Sequence, residues 1–469
     1  MTIKHPFKLA LSAFLIIGIS TLQSCKKDEI GINEPLSGDN KENQRIYDLM
    51  SHWYLWNEHI PDSYTKTYNT REAKEYFQSL LYNYGDTYGD RFSYIEENSD
   101  YSGSKASYNS ESDTGFGITY KYSKTSIVQT DNSSSTHYIY FIYYVFPDSP
   151  AAKAGLKRGD IIYKINDKYI DSDDALKGLS SVKIKYTQLS DKEILLKDTD
   201  PTAQLSVAQY PTKPIWASKI ITDNNKKIGY LCYKSFSSNS QDLINEFSKF
   251  RKEGISELVL DLRYNSGGLL NMAQFLGSLI IPKDKLGSTF IQQVCNKKLN
   301  NTKDINLTLK TSTNSTVTNN KIEIERLYVL TSGVTASASE TIILCTKPYL
   351  KNVYVIGHTT RGKNQSAVEL KDKNSKWILH PIVARIYDCN MKTFSETGIT
   401  PDFKINEDLN MPYKELGDTE EPLLQTALHH IKNGSFPATS KGSVNTDFGQ
   451  LIINNQDKGG NILILNNLE

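Results

Sequence analysis

A serine among small residues, Thr335-Ala336-Ser337-Ala338-Ser339-Glu340, separates a run that reads as a buried strand from one that reads as a packed helix. Upstream, Leu327-Tyr328-Val329-Leu330 is a short apolar run bounded by Ser332-Gly333, and downstream Thr341-Ile342-Ile343-Leu344 has the apolar density of a core helix. A chain that turns here places Ser337 at a strand-to-helix corner. Small neighbours let a peptide approach, and the N–H groups of the first helical turn point into the same space as potential oxyanion donors. The same letters also describe a helix start, because Ser followed three residues later by Glu is a capping box. Both readings stand at this point.

Two other segments end in a similar way. Leu258-Val259-Leu260-Asp261-Leu262-Arg263-Tyr264-Asn265-Ser266-Gly267-Gly268 reads as a buried strand running into a Gly-Gly turn, whose unencumbered N–H groups can be brought against a ligand. Val353-Tyr354-Val355-Ile356-Gly357 reads as a third strand, followed by Thr359-Thr360-Arg361-Gly362-Lys363-Asn364. A serine, a glycine-rich loop and a lysine each sit at a strand's end. In their order along the chain the three motifs resemble the signatures of the carboxy-terminal-processing peptidases, the tail-specific serine proteases.

That resemblance implies Ser337 as nucleophile, Lys363 as its general base, and an oxyanion hole between the N–H of Ala338 and one from Gly267 or Gly268. The chemistry is coherent, since a serine hydroxyl needs a base and a lysine serves only when deprotonated. From an ordinary pKa of about 10.4, Lys363 must be brought toward neutrality, about 4 kcal/mol of differential interaction, which burial in an apolar cleft supplies. The chain departs from the family in two places. The Ser337–Lys363 separation is about one residue longer, with the extra residue expected between 347 and 352. Many members also carry a lysine-orienting glutamine where this chain has Ala367, with Gln365 and Ser366 nearby. His358 is an alternative base, and an ordinary solvated lysine is the alternative for Lys363.

The N-terminus carries a separate signal. Lys4, His5 and Lys8 precede an apolar run over 9–19, and Leu22-Gln23-Ser24-Cys25 follows. This pattern reads as a secretory leader, too short for a transmembrane span. Leu-x-Ser-Cys resembles a bacterial lipoprotein box, which implies a signal peptide over 1–24, lipidation of Cys25 and a membrane anchor. A simple signal or anchor is the alternative. Lys26-Lys27-Asp28-Glu29 resembles the export tag of surface lipoproteins in some Gram-negative bacteria, and equally suits a solvated tether.

At 469 residues the chain exceeds one compact core. With 54 Lys+Arg against 53 Asp+Glu it has no basic excess for nucleic acid. The remaining cysteines, Cys232, Cys295, Cys345 and Cys389, have neither metal-site nor disulfide spacing, and Cys232 and Cys345 fall in apolar runs where they pack as small hydrophobes. No metal and no cofactor are expected.

The expected fold is a multidomain α+β chain. A tether over 25–40 leads to a small helical domain over 41–100, where Ile46, Leu49, Met50 and Trp53 recur at helical spacing, Trp53-Tyr54-Leu55-Trp56 reads as core packing rather than a ligand cage, and a second helix spans 73–82. Asp90-Arg91-Phe92-Ser93-Tyr94-Ile95 resembles the family's link into the next domain. A PDZ-like, β-rich domain follows over 108–210. Its Gly115-Phe116-Gly117-Ile118 turn resembles a carboxylate-binding loop, and Ser149-Pro150-Ala151-Ala152-Lys153-Ala154-Gly155-Leu156 resembles its short helix with a glycine stop. Residues 123–137 read as a polar hairpin tip. From 215 to 432 strands and helices alternate, which indicates an α/β core with a mainly parallel sheet, ClpP/crotonase-like by the family resemblance. Residues 296–320 read as an excursion from that core. No role is assigned to the tail, 433–469, although Leu451-Ile452-Ile453 and Ile462-Leu463-Ile464-Leu465 suit strands.

The resemblance thus implies a lipid-anchored serine endopeptidase of the cell envelope, held at the outer membrane and acting on proteins or peptides with apolar C-termini captured and sensed by the PDZ-like domain. A catalytically inactive peptide-binding lipoprotein of the same fold is the alternative, and an envelope scaffold is a third reading.

Overall fold

The computed structural model describes residues 38–64, 71–98, 112–128, 134–188, 196–197, 199–223, 226–300, 307–405, 413–438 and 463–464. The leader, Cys25, the charged run after it and Leu451–Ile453 lie outside the described residues. Among the described residues, no helix is long and apolar enough to cross a membrane.

The core is a six-stranded sheet in the order Ile215–Asp223, Lys226–Tyr233, Glu257–Asp261, Arg326–Thr331, Val353–Gly357 and Phe403–Lys404. Only the first pair is antiparallel. These strands are apolar throughout because both faces are covered, and alternate side chains serve opposite layers. Leu258, Leu260, Leu327 and Val329 pack toward the helices Gln241–Glu253, Leu270–Ile280 and Ala338–Thr346. Val259, Tyr328 and Leu330 pack toward the helix Pro422–Asn433. Cys232 and Cys345 are buried in these two layers, and none of the four described cysteines is joined in a disulfide to another described residue.

The parallel register decides where the chemistry-bearing loops emerge. Asp261 pairs with Leu330, and Thr331 with Gly357, so the segments after all three strands leave from the same carboxyl edge. A four-stranded antiparallel sheet, Thr308–Lys310, Thr289–Cys295, Ile382–Tyr387 and Gln365–Ala367, stands beside this core. It corrects the reading of 296–320 as an excursion. Thr308–Lys310 is a strand of this sheet, and Val317, fully buried, belongs to the main hydrophobic cluster, so sparse apolar anchors in a polar stretch tie it into the core.

The N-terminal helices Gly38–Trp53 and Ala73–Ser79, with the turn that follows the first, bury Ile46, Met50, Tyr54, Trp56, Tyr76 and Phe77 against Trp377, Leu379 and Ile382. The aromatic run is therefore packing. The second helix stops at Ser79 rather than at Tyr82, because the Tyr82 N–H donates instead to the Tyr54 hydroxyl at 2.9 Å.

The PDZ-like sheet runs Leu463–Ile464, Ile118–Val128, Ser134–Val145, Asp160–Ile165, Ser181–Gln188, Thr202–Ser206. Ser149 caps the short helix Pro150–Lys153 by accepting from the Ala152 N–H at 3.2 Å. Gly117 has φ +77°, and a Cβ there would lie 2.0 Å from Ser149 Cβ, so the turn requires glycine. This domain meets the core through Arg158, whose guanidinium donates to Tyr143 O at 2.5 Å, to the Tyr264 hydroxyl at 2.7 Å and to Lys414 O at 2.8 Å. Tyr143 stacks on Tyr264, and Tyr144 on Trp216.

Arg263, fully buried, anchors the C-terminal helix to the central strand. Its Nη1 and Nη2 donate to the two Glu421 oxygens at 2.5 and 2.8 Å, its Nε donates to Asp261 Oδ1 at 3.0 Å, and Asp261 Oδ2 accepts from the Tyr230 hydroxyl at 2.8 Å. Glu421 also caps the helix, accepting from the Leu424 N–H at 2.9 Å. Truncating one partner of a buried pair strands the other charge. Glu421→Ala is therefore expected to cost about 3–5 kcal/mol in urea unfolding, and a loss under about 1 kcal/mol, the range of an exposed pair, would contradict this role.

Candidate active site

Ser337 occupies the corner that the sequence predicts, in a conformation few non-glycine residues adopt: φ 57°, ψ −117°. The Ser339 N–H donates to Ala336 O at 3.1 Å, closing a four-residue turn with Ser337 at the position where a type II′ turn favours glycine. Surrounding bonds hold this strained corner. Asn265 O accepts from the Ala336 N–H at 3.2 Å and from the Ser339 hydroxyl at 3.0 Å, and the Thr335 hydroxyl donates to Leu262 O at 2.8 Å. Ser339, the second serine of the motif, is thus spent on structure, while Ser337 is presented.

Gly267 lies directly against the corner. A Cβ on it would stand 2.7 Å from Ser337 Cβ and 2.9 Å from Ala336 O, and its φ of +110° independently excludes a side chain. The Gly267 N–H is committed to Asn265 Oδ1 at 2.8 Å, and Asn265 Nδ2 in turn donates to Tyr233 O at 2.8 Å. The N–H groups of Gly268 and Ala338 have no partner among the described residues, and Gly268 is exposed.

One carboxylate joins this corner to the lysine loop. Glu340, fully buried, accepts from the Ser337 N–H at 2.8 Å, the Thr360 hydroxyl at 2.5 Å, the Gly362 N–H at 2.7 Å and the Lys363 N–H at 2.9 Å. Burial raises its carboxyl above the ordinary range, while the four donors pull the other way. Glu340 therefore forms the carboxylate half of a capping box and also ties together two loops from adjacent strands.

Burial lowers the Lys363 ammonium below its ordinary range, opposed by the negative charges of Asp90 and Glu340. Its Nζ lies 5.2 Å from the centre of the Phe92 ring, and no hydrogen bond joins it to the Ser337 hydroxyl in this conformation. The adjacent Arg91 guanidinium donates to Gly362 O at 3.1 Å and Glu396 O at 2.7 Å. The exit segment of the helical domain thus braces the lysine loop from outside the core. Ala367 is exposed; Ser366 donates to Gln293 Oε1 at 2.6 Å; Gln365 is buried, and its side-chain oxygen has no partner among the described residues.

Neither of two other candidate bases is hydrogen-bonded to Ser337. His358 is exposed, with Nδ1 2.9 Å from Thr359 O. A lysine not singled out from the sequence, Lys234 after the strand Lys226–Tyr233, is pushed down to about 8 by burial, against the raising effect of Cys232. Its Nζ lies 5.6 Å from the Trp216 ring centre. Arg91, Phe92 and Asn265 belong to segments that the sequence flagged, yet their contacts with the site span too much sequence for periodicity to reveal.

In the PDZ-like domain, Phe116 and Ile118 are buried and the N–H groups of Phe116 and Gly117 have no partner among the described residues.

Comparison with known proteins places this geometry. The profile of peptidase family S41 matches residues 227–405, that of the peptidase S41 N-terminal domain residues 41–94, and that of a PDZ domain residues 141–179. The chain carries a peptidase family S41 domain. Around it stand the S41 N-terminal region and a PDZ domain. A CtpA-like serine protease of Staphylococcus epidermidis is 29% identical over 231 residues, covering 48% of this chain and 43% of the relative. The carboxy-terminal processing protease CtpA of Bacillus subtilis is 28% identical over 278 residues, covering 58% and 54%. The chain spans about half the length of these curated relatives. A crystal structure described as an S41 protease, from Bacteroides fragilis, superposes with a TM-score of 0.63 at 27% identity, covering 83% of this chain and 97% of that one.

The strain in the S41 corner is measurable without activity. Ser337→Gly is expected to be more stable than Ser337→Ala by about 1 kcal/mol, because only glycine adopts φ 57° without steric cost. Equal denaturant midpoints for the two variants would contradict a strained corner.

Proposed function

We propose that this protein is a serine endopeptidase acting through a Ser337–Lys363 dyad, anchored to the outer membrane of the cell envelope through a lipid on Cys25, with its PDZ domain recognising apolar C-termini of protein substrates. The Glu340 bridge carries the catalytic part of this reading, because one buried carboxylate fixes the backbone of both the serine and the lysine. A helix cap alone would leave the lysine loop out.

In the reaction, Ser337 Oγ attacks the scissile carbonyl carbon as Lys363 Nζ takes the hydroxyl proton. The carbonyl oxygen becomes an oxyanion between the N–H groups of Gly268 and Ala338. Lys363 then protonates the leaving amine, the C–N bond breaks, and water hydrolyses the acyl-serine by the reverse proton path. The chemistry calls for no metal or cofactor. Lys363 must leave the Phe92 ring to reach Ser337, as is common for catalytic pairs that tighten only with substrate bound. Gln365, whose buried side-chain oxygen has no partner among the described residues, is assigned the orienting place left by Ala367. Peptide capture by the PDZ domain reaches the site through Arg158 and Tyr264, three residues before Gly267 on the same loop.

The second reading, a peptide-binding lipoprotein that has lost activity, is supported by Ala367 and by the open Ser337–Lys363 pair. Unfolded proteins with apolar C-termini, incubated with wild type, Ser337→Ala, Lys363→Ala, Lys234→Ala and His358→Ala, separate the two. Cleavage is expected to fall by at least about 10³-fold in the first two variants and to persist in the others. Its rise with pH should lie below the ordinary lysine range of about 10.4, because burial favours the neutral amine. Binding without cleavage across pH supports the second reading, and loss only in Lys234→Ala or His358→Ala moves the base there.

A further inference from the structure

The PDZ sheet has an outer strand that comes from an unexpected part of the chain. Leu463–Ile464 pairs antiparallel with Ile118–Val128, Leu463 opposite Tyr120 and Ile464 opposite Thr119. Without it, Ile118–Val128 would be the edge of its sheet. We propose that the strand Leu463–Ile464 is an internal ligand of the PDZ domain, holding the peptide-binding edge against substrate C-termini. This rests on the reading of that edge as the substrate-capture site.

Three observations carry it. The first is place: the paired residues, Thr119 and Tyr120, immediately follow the Gly115-Phe116-Gly117-Ile118 turn. The second is direction, because the antiparallel strand runs from Tyr120 to Thr119 and so points toward that turn, as a peptide must run to bring its carboxylate to the N–H groups of Phe116 and Gly117, which have no partner among the described residues. The third is chemistry: Ile462-Leu463-Ile464-Leu465 is an apolar run between asparagines, the kind of extended segment that adds to a sheet edge. A strand addition draws much of its affinity from main-chain bonds, so the tail need not match any substrate's sequence. Its advantage is tethering, since a linked segment competes at an effective concentration on the order of millimolar.

Occupancy by the tail lowers the apparent affinity of a free peptide in proportion to the fraction of edge left open, about tenfold at nine-tenths occupancy. Adjacent N–H groups of a strand point to opposite sides, so one of Leu463→Pro and Ile464→Pro removes a donor facing Ile118–Val128, and either proline disfavours continued pairing. Both variants, in the full chain, should be compared with wild type for binding of a fluorescein-labelled peptide ending in Asn-Ile-Leu-Ile-Leu and for amide hydrogen exchange at Thr119 and Tyr120. The expected result is about tenfold tighter peptide binding and several-fold faster exchange in at least one variant. Unchanged exchange in both overturns the docked tail, whatever the peptide does. Faster exchange with unchanged, measurable peptide affinity overturns the competition. Faster exchange with no peptide binding by any of the three chains supports the docked tail and overturns the reading of the edge as a substrate site.

Discussion

The candidate site depends on the carboxylate of Glu340. Four donors from two loops converge on it, and it is the shortest covalent and hydrogen-bonded path between the backbone of Ser337 and that of Lys363. A buried carboxylate is costly unless its oxygens are satisfied, and here each donor that satisfies them also fixes a piece of the site. The same group places negative charge near the lysine amine, so it sets geometry and opposes the burial that lowers the amine's pKa.

The strained serine corner follows from the same economy of bonds. Ser337 has a backbone conformation suited to glycine, kept there by Asn265, by the Gly267 surface and by Glu340. The parallel register of three strands brings these parts to one edge, and the buried Arg263 cluster ties the central strand to the C-terminal helix. A few residues of the outer domains reach the site. Arg91 and Phe92 line the lysine loop from the helical domain, and Arg158 touches the Gly267 loop from the PDZ domain.

Much of this was legible in the sequence because it is local. Strand ends, the Gly-Gly turn, the Ser337 corner and the capped helix at Pro150 all depend on residues within a few positions of one another, and the strands appear where apolar runs predict them. The second N-terminal helix ended early because a distant tyrosine hydroxyl competed for a backbone N–H. The polar stretch 296–320 joined the core through Val317 and a short strand, too little apolar content for periodicity to register. At the site, the sequence marks Gly267 and Gly268 equally, and only the Asn265 side chain distinguishes them, by occupying one N–H. The bracing of Lys363 by Arg91 and Phe92 is a contact across most of the chain, and the strand Leu463–Ile464 has the right composition but no local sign of its partner.

The most direct test of Glu340 as the link between nucleophile and base is the pH profile of Ser337 acylation by a fluorophosphonate, measured in wild type and Glu340→Gln. In wild type the rate should climb as Lys363 loses its proton. Removing the carboxylate removes a charge that raises the lysine pKa, so the acid limb should move to lower pH, while the loss of acceptors for the two loops should reduce the plateau rate by at least about tenfold. A profile that keeps both its midpoint and its plateau in Glu340→Gln would contradict the account.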